Sequence, residues 1–181
     1  MPELRGRRME GGHNMRLFVG LRPSGGFRSA LALLQDRLRA SGVAGRYLDP
    51  DNLHMTLAFV GEWPEDITPV LPPVGSCFSL ILSHVGVFPE AKVLWAGVEA
   101  SEALEHLAER TRQNLAGRGI PFDPKKFNPH ITLVRKPQIP DGMVLSKVEI
   151  PSASMLVDEV CLYRSERGEN GMRYTVIGST K

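Results

Sequence analysis

Cysteine is scarce in this chain: Cys77 and Cys161 are the two thiols in 181 residues. They stand far apart and without metal-ligand spacing, which excludes a disulfide framework and a cysteine-built zinc site. Each lies in an apolar stretch, so both are expected to be buried free thiols. Long hydrophobic runs are missing as well. No stretch is long enough to cross a bilayer, and the first residues lack the apolar segment of a secretory signal. The expectation is a cytoplasmic protein without a membrane partner, and nothing in the pattern points beyond a monomer. An excess of one charge is also lacking. Lys and Arg number 22 against 20 Asp and Glu, a formal charge of +2. Such a surface does not hold a polyanion by its bulk field, so a nucleic acid would need a local patch.

What is present is an ordinary globular composition, 42% hydrophobic and 23% charged. The length suits one domain with a full core or two intimately packed lobes. Residues 1–14 have no apolar periodicity and read as a flexible leader, so the single domain is expected over 15–181. Arg16–Leu21 reads as a buried strand. Phe27–Ala40 carries Leu31, Leu34 and Leu38 at helical spacing, with Ser24 placed to cap it and Gly42 just past its end. Strands are expected at Arg46–Leu48, Leu53–Val60, Cys77–Leu82, Val85–Phe88 and Val93–Val98. A second helix is expected over Ala103–Ala116, with Ser101 before it. Further strands are expected at Ile131–Val134, Met143–Ile150, Met155–Tyr163 and Arg173–Ile177, the last two joined across Ser165–Gly171. The four prolines of 61–75 leave room for one short helix and a loop.

A shift of 76 residues lays the second half of the chain on the first. Leu17–Leu21 falls on Val93–Gly97 and the first helix on the second. Asn52, His54, Thr56 and Leu57 fall on Asn128, His130, Thr132 and Leu133. Each half therefore reads strand, helix, turn and a strand opening Asn-x-His-x-Thr-Leu. A pseudo-two-fold pair of lobes would bring the two His-x-Thr strands face to face across a cleft.

Side chains two apart on a strand share a face. His54 and Thr56 thus point one way, as do His130 and Thr132, while Met55, Leu57, Ile131 and Leu133 point to the apolar side. Five histidines and six threonines in this length make a chance His-x-Thr roughly a 0.17 event, so two in matching contexts carry information. Two imidazoles on either side of one phosphorus provide a base for water and an acid for a departing oxygen. The threonine hydroxyls can donate to the non-bridging oxygens as charge grows there. No metal or other cofactor is required, and two histidines without a carboxylate cluster make a poor divalent site. His84 and His106 lack the threonine, and neither they nor His13 are assigned a role.

The pair His54-Met55-Thr56-Leu57 and His130-Ile131-Thr132-Leu133 resembles the motifs of the 2H phosphoesterase superfamily. The flanking segments resemble one branch, the bacterial and archaeal RNA 2′,3′-cyclic phosphodiesterases, also called 2′-5′ RNA ligases. These are Arg16-Leu-Phe-Val, Gly45-Arg46, Leu57-Ala-Phe-Val-Gly61, Leu94-Trp95, Phe127-Asn-Pro-His130 through Arg135, and Tyr163-Arg-Ser165. The resemblance implies an α+β fold of two pseudo-symmetric lobes. Each lobe would hold an antiparallel sheet with helices outside, and the active-site cleft would lie between them. It implies hydrolysis of RNA 2′,3′-cyclic phosphates to 2′-phosphomonoesters, with reversible 2′-5′ joining of tRNA halves as a further activity. By motif position it makes His54 the proton donor and His130 the proton acceptor, although the spacing alone fits either assignment.

The resemblance also puts Arg135 on the phosphate. An offset of five from His130 would turn Arg135 away unless a bulge forms near Val134. Arg46 at the rim and Phe127 as a base platform are candidate substrate contacts. Phe18, Phe59 and Trp95 are more ordinary core aromatics. Two features depart from the pattern, the leader and the proline-rich 61–75 segment, which is expected to shorten the helix after the first motif. Two other readings remain open at this point. One is the same chemistry on another small cyclic nucleotide or a 2′-5′ oligonucleotide. The other is a non-catalytic module that binds RNA ends.

Overall fold

The computed structural model describes residues 14–181; the leader expected over 1–14 falls, apart from Asn14, outside the described residues. The chain forms strand β1 (Met15–Leu21), helix α1 (Gly25–Ala40), β2 (Ala44–Tyr47), β3 (Met55–Trp63), β4 (Phe78–Phe88), β5 (Val93–Val98), helix α2 (Glu102–Gly117), β6 (Ile131–Gln138), β7 (Ser154–Val157), β8 (Cys161–Gly168) and β9 (Gly171–Ser179). The strands lie in the order β7-β4-β5-β6-β3-β1-β8-β9, with β2 also paired to β6, and every neighbour is antiparallel.

Both helices start where their sequences direct. Ser24 Oγ accepts from Phe27 N at 3.3 Å, and Ser101 Oγ accepts from Leu104 N at 3.2 Å. Each bond satisfies one of the amides that a helix start leaves open. Leu31, Leu34 and Leu38 of α1 and Leu104, Leu107 and Leu115 of α2 face one continuous core. That core also takes Leu17, Val19, Met55 and Leu57 from one half and Leu94, Ala96, Leu133 and Val134 from the other. At roughly 1.5–3 kcal/mol for each fully buried large aliphatic side chain, this shared core binds the halves together.

The halves are pseudo-symmetric as expected: β5-β6 on one side of the centre mirrors β1-β3 on the other. They join where β3 and β6 overlap at a single pair, Met55 with Ile131, and where β2 runs along β6. Several boundaries differ from expectation. Cys77–Leu82 and Val85–Phe88 merge into one strand, β4, and Met155–Tyr163 divides into β7 and β8. Met143–Ile150 has strand-like composition but forms a 3-10 turn at Leu145–Lys147. Over 61–75, β3 continues to Trp63 and one 3-10 turn follows at Thr68–Val70. Cys161 is buried as expected, but Cys77 is exposed: it precedes the first residue of β4, outside the alternating burial of that strand.

Candidate active site

The overlap of β3 and β6 places the four motif residues. Met55 faces Ile131 across an antiparallel pair. Continuing that register by one residue each way sets His54 opposite Thr132 and His130 opposite Thr56. The two histidines are then diagonal neighbours, a relation that spans about 7–8 Å between backbones in a regular pair. All four side chains line one cleft of about 830 Å³. Met55, Leu57, Ile131 and Leu133, at the alternate positions, are buried in the core on the opposite face.

Both rings are oriented in the same manner. His54 Nδ1 lies 2.7 Å from Asn52 O, and His130 Nδ1 lies 2.7 Å from Asn128 O. A carbonyl only accepts, so each Nδ1 carries a proton, and each Nε2 is left for the cleft. The surroundings of His54 are the more apolar. Its ring sits 4.6 Å from Phe18, 4.8 Å from Tyr174 and 5.5 Å from Tyr163, and Phe18 stacks on Tyr163 at 4.7 Å. Burial pushes the His54 imidazole down to about 4; the bond to Asn52 O works the other way, and the charges of Arg135 and His130 add to the lowering. His130 meets Phe88 edge-on at 5.0 Å and Trp95 at 6.4 Å.

Arg135 reaches the cleft through the bulge its odd spacing demands. On the β5 side Trp95 pairs with Thr132 but Leu94 pairs with Val134, so Leu133 is the extra residue. Leu133 and Val134 are then both buried in succession, and Thr132 and Arg135 emerge on the cleft side together. Arg135 Nη2 donates to Tyr174 Oη at 3.1 Å. Strand β3 repeats the irregularity. Gly20 pairs with Thr56 and Val19 with Ala58, which leaves Leu57 as the extra residue and brings Phe59 to the cleft as the counterpart of Arg135. Gly45 lets β2 approach the β6 bulge: its φ is +144°, and a Cβ there would meet Val134 Cγ1 at 2.7 Å.

The other expected contacts divide. Phe127 lines the cleft, half-buried. Arg46 faces Arg135 in register but is exposed and lies outside the cleft wall. Phe18, buried against the His54 ring, and Phe59 both line the cleft, and the Arg16 guanidinium lies 5.1 Å from the Phe59 ring centre. The wall carries six basic side chains, Arg16, Arg112, Lys125, Lys126, Arg135 and Arg167, against one acid, Asp123. A chain of net charge +2 thus gathers its positive field in one groove. Among the described residues no group of three or more His, Cys, Asp or Glu could hold a metal. A second hollow of about 950 Å³ lies beyond the β8–β9 hairpin. Neither histidine lines it, and its Arg22 and Arg28 are paired with Glu159 and Asp51.

The family model of the 2′-5′ RNA ligase superfamily matches residues 27–169, which contain both motifs and both bulges. The chain belongs to the 2′-5′ RNA ligase superfamily. Among relatives of this superfamily, the Thermus thermophilus RNA 2′,3′-cyclic phosphodiesterase is 32% identical over 182 residues, covering 90% of this chain and 88% of its own. The Thermotoga maritima RNA 2′,3′-cyclic phosphodiesterase is 27% identical over 175 residues, covering 90% and 93%. The crystal structure of E. coli LigT in its apo form superposes with a TM-score of 0.74 at 26% identity, covering 93% of this chain and 97% of that one.

Several side chains of this superfamily member's cleft escaped the sequence reading. The pair Lys125-Lys126, in a polar loop shortly before His130, was the readable signal for a basic rim. Tyr174 gave none. It arrives because β9 folds back to Asn52, whose Nδ2 donates to Met172 O at 2.8 Å and whose Oδ1 accepts from Tyr174 N at 3.2 Å. Phe88 reaches His130 from the end of β4, and no local pattern pairs the two.

Proposed function

We propose that the protein opens 2′,3′-cyclic phosphodiester ends of RNA to 2′-phosphomonoesters, with His54 and His130 as its acid–base pair. The observation that carries this reading is the convergence of both His-Thr pairs and Arg135 on one basic cleft. One imidazole takes a proton from water as its oxygen bonds to phosphorus. The P–O3′ bond breaks, and the other imidazole delivers a proton to O3′. Thr56 and Thr132 donate to the non-bridging oxygens, and Arg135 balances the charge that grows on them. The relatives named RNA 2′,3′-cyclic phosphodiesterase support the substrate class.

By its motif position His54 is the donor and His130 the acceptor. With its pKa near 4, His54 is neutral in the free protein at pH 7. It becomes a donor only when a phosphate anion lies beside it and neutralises Arg135. That same depressed pKa favours a second reading with the two roles exchanged. The working partner is an RNA end, with tRNA halves as one source; 2′-5′ joining is the same ring opening with a 5′-hydroxyl attacking phosphorus in place of water. The protein acts as a monomer in the cytoplasm.

His54→Ala and His130→Ala are each expected to lower turnover of a cyclic-phosphate RNA end by about 10²–10⁴-fold with RNA binding retained. Unchanged turnover in either variant defeats the mechanism. A substrate with sulfur in place of O3′ needs no protonation of its leaving group. The variant whose rate recovers on that substrate has lost the acid, so the rescue decides between the two assignments.

A further inference from the structure

Gln35 and Thr111 are the buried polar side chains among the described residues. Thr111 satisfies itself on its own helix, donating to Leu107 O at 2.8 Å. Gln35, 2% exposed, does not. Its Nε2 leaves α1 and donates to Leu48 O at 2.9 Å and to Leu133 O at 3.1 Å. Leu133 is the extra residue of the β6 bulge, and its carbonyl also accepts from Leu48 N at 3.0 Å. That carbonyl therefore keeps one backbone donor, and the carboxamide from behind the sheet takes its second acceptor position and ties the bulge to the chain leaving β2.

The other half uses the same device. Arg112 stands as far from the first residue of α2 as Gln35 does from the first residue of α1. Its Nε donates at 3.3 Å to Leu57 O, the extra residue of the β3 bulge, and its Nη1 donates at 2.7 Å to Lys125 O. Two helices thus each send one donor to the bulge of the opposite half. The alternation of a strand would otherwise turn the residue three beyond each threonine away from the cleft.

We infer that Gln35, which lies outside the cleft, is a positioning residue for the second motif: its carboxamide holds the β6 bulge, and the bulge holds Arg135 beside Thr132 on the substrate side. Loss of the carboxamide frees the strand to shift its irregularity, and the guanidinium loses its fixed place between Tyr174 and the phosphate. The catalytic consequence rests on the phosphodiesterase reading above; the placement of Arg135 does not.

The test compares Gln35→Met, which keeps the volume and removes the donor, with Arg135→Ala and with the double variant. Three quantities are read on folded protein: the NMR titration midpoint of His54, the affinity for inorganic phosphate, and kcat/KM on a cyclic-phosphate RNA end. Groups facing His54 are Arg135, His130, Tyr163 and Tyr174, and of these Arg135 alone is removed or displaced. Both single variants are expected to raise the His54 midpoint and weaken phosphate binding, and Gln35→Met to lower kcat/KM by roughly 10- to 100-fold. In the double variant the losses should not add. A His54 midpoint that stays at the wild-type value in Gln35→Met, while Arg135→Ala moves it, overturns the inference. So does a Gln35→Met protein whose only change is lower stability, and Gln35→Asn, with the amide drawn back by one methylene, repeats the comparison if Gln35→Met does not fold. Absence of turnover in the wild type would defeat the phosphodiesterase reading and leave the titration and phosphate measurements to decide on Gln35.

Discussion

His54 lies between two environments, an aromatic bed of Phe18, Tyr163 and Tyr174 on one side and a basic cleft on the other. Both oppose a proton on the ring, which is why its pKa falls from 6.5 to about 4. The unfolded chain, with His54 near 6.5, therefore binds more protons than the folded one between pH 4 and 6.5. Stability from this residue is fully present above pH 6.5 and is lost as the pH falls to 4, a change on the order of 3 kcal/mol. Arg135→Gln removes one cause of the lowering and raises the folded value towards the unfolded one. Urea midpoints taken from pH 7 to pH 4 should therefore fall less in Arg135→Gln than in the wild type. An equal fall in both would mean that Arg135 does not act on His54. At this scale the sequence was informative about chemistry and silent about environment. His-x-Thr named the imidazoles of the proposed acid–base pair, but the rings that set the His54 pKa come from β1, β8 and β9, far along the chain.

Strand β9 shows how one element completes a site built by others. Asn52 holds it through two side-chain bonds, to Met172 O and from Tyr174 N, while the Asn52 carbonyl holds the His54 ring. Tyr174 in turn meets both His54 and Arg135. Asn52→Ala keeps the carbonyl and removes the side-chain clamp. It is expected to cost about 1–2 kcal/mol, two modest hydrogen bonds, and to speed amide exchange at Tyr174 ahead of the rest of the sheet. Protection at Tyr174 equal to that of wild type would show that strand pairing with β8 suffices. The hairpin was legible from Gly168 and Gly171, and Gly171 supplies the turn with a φ of +110°. The strands run closer to the turn than those glycines suggested, to Gly168 and from Gly171. The split of Met155–Tyr163 was not legible. Asp158-Glu159 interrupts the run where it divides, but only the pairing shows that β7 goes to β4 and β8 to β1, towards opposite ends of the sheet.

Across the whole molecule, the two halves carry separate motifs but share one core, and each helix reaches into the opposite half through Gln35 or Arg112. A core that spans both halves predicts one cooperative unfolding transition. Trp63 lies on β3 and Trp95 on β5, one in each half. Single-tryptophan variants, Trp63→Phe and Trp95→Phe, should report the same urea-transition width and a single shared transition, allowing for each substitution's own effect on the midpoint. A biphasic curve from far-ultraviolet circular dichroism, with each tryptophan following one phase, would mean that the lobes unfold separately.

The paired Asn-x-His-x-Thr-Leu segments, read from the chain alone, determined the pseudo-two-fold plan and which histidines and threonines share the cleft; the resemblance that puts Arg135 on the phosphate added the need for a bulge before it. They could do so because strand alternation is a local rule that fixes which side chains share a face. Only the tertiary structure decided where the bulges fall, that Gln35 and Arg112 sit behind them, that Tyr174 stands between His54 and Arg135, and that Arg46 stays outside the cleft. These depend on contacts between residues far apart in the chain, where local pattern sets no geometry and packing against a shared core does.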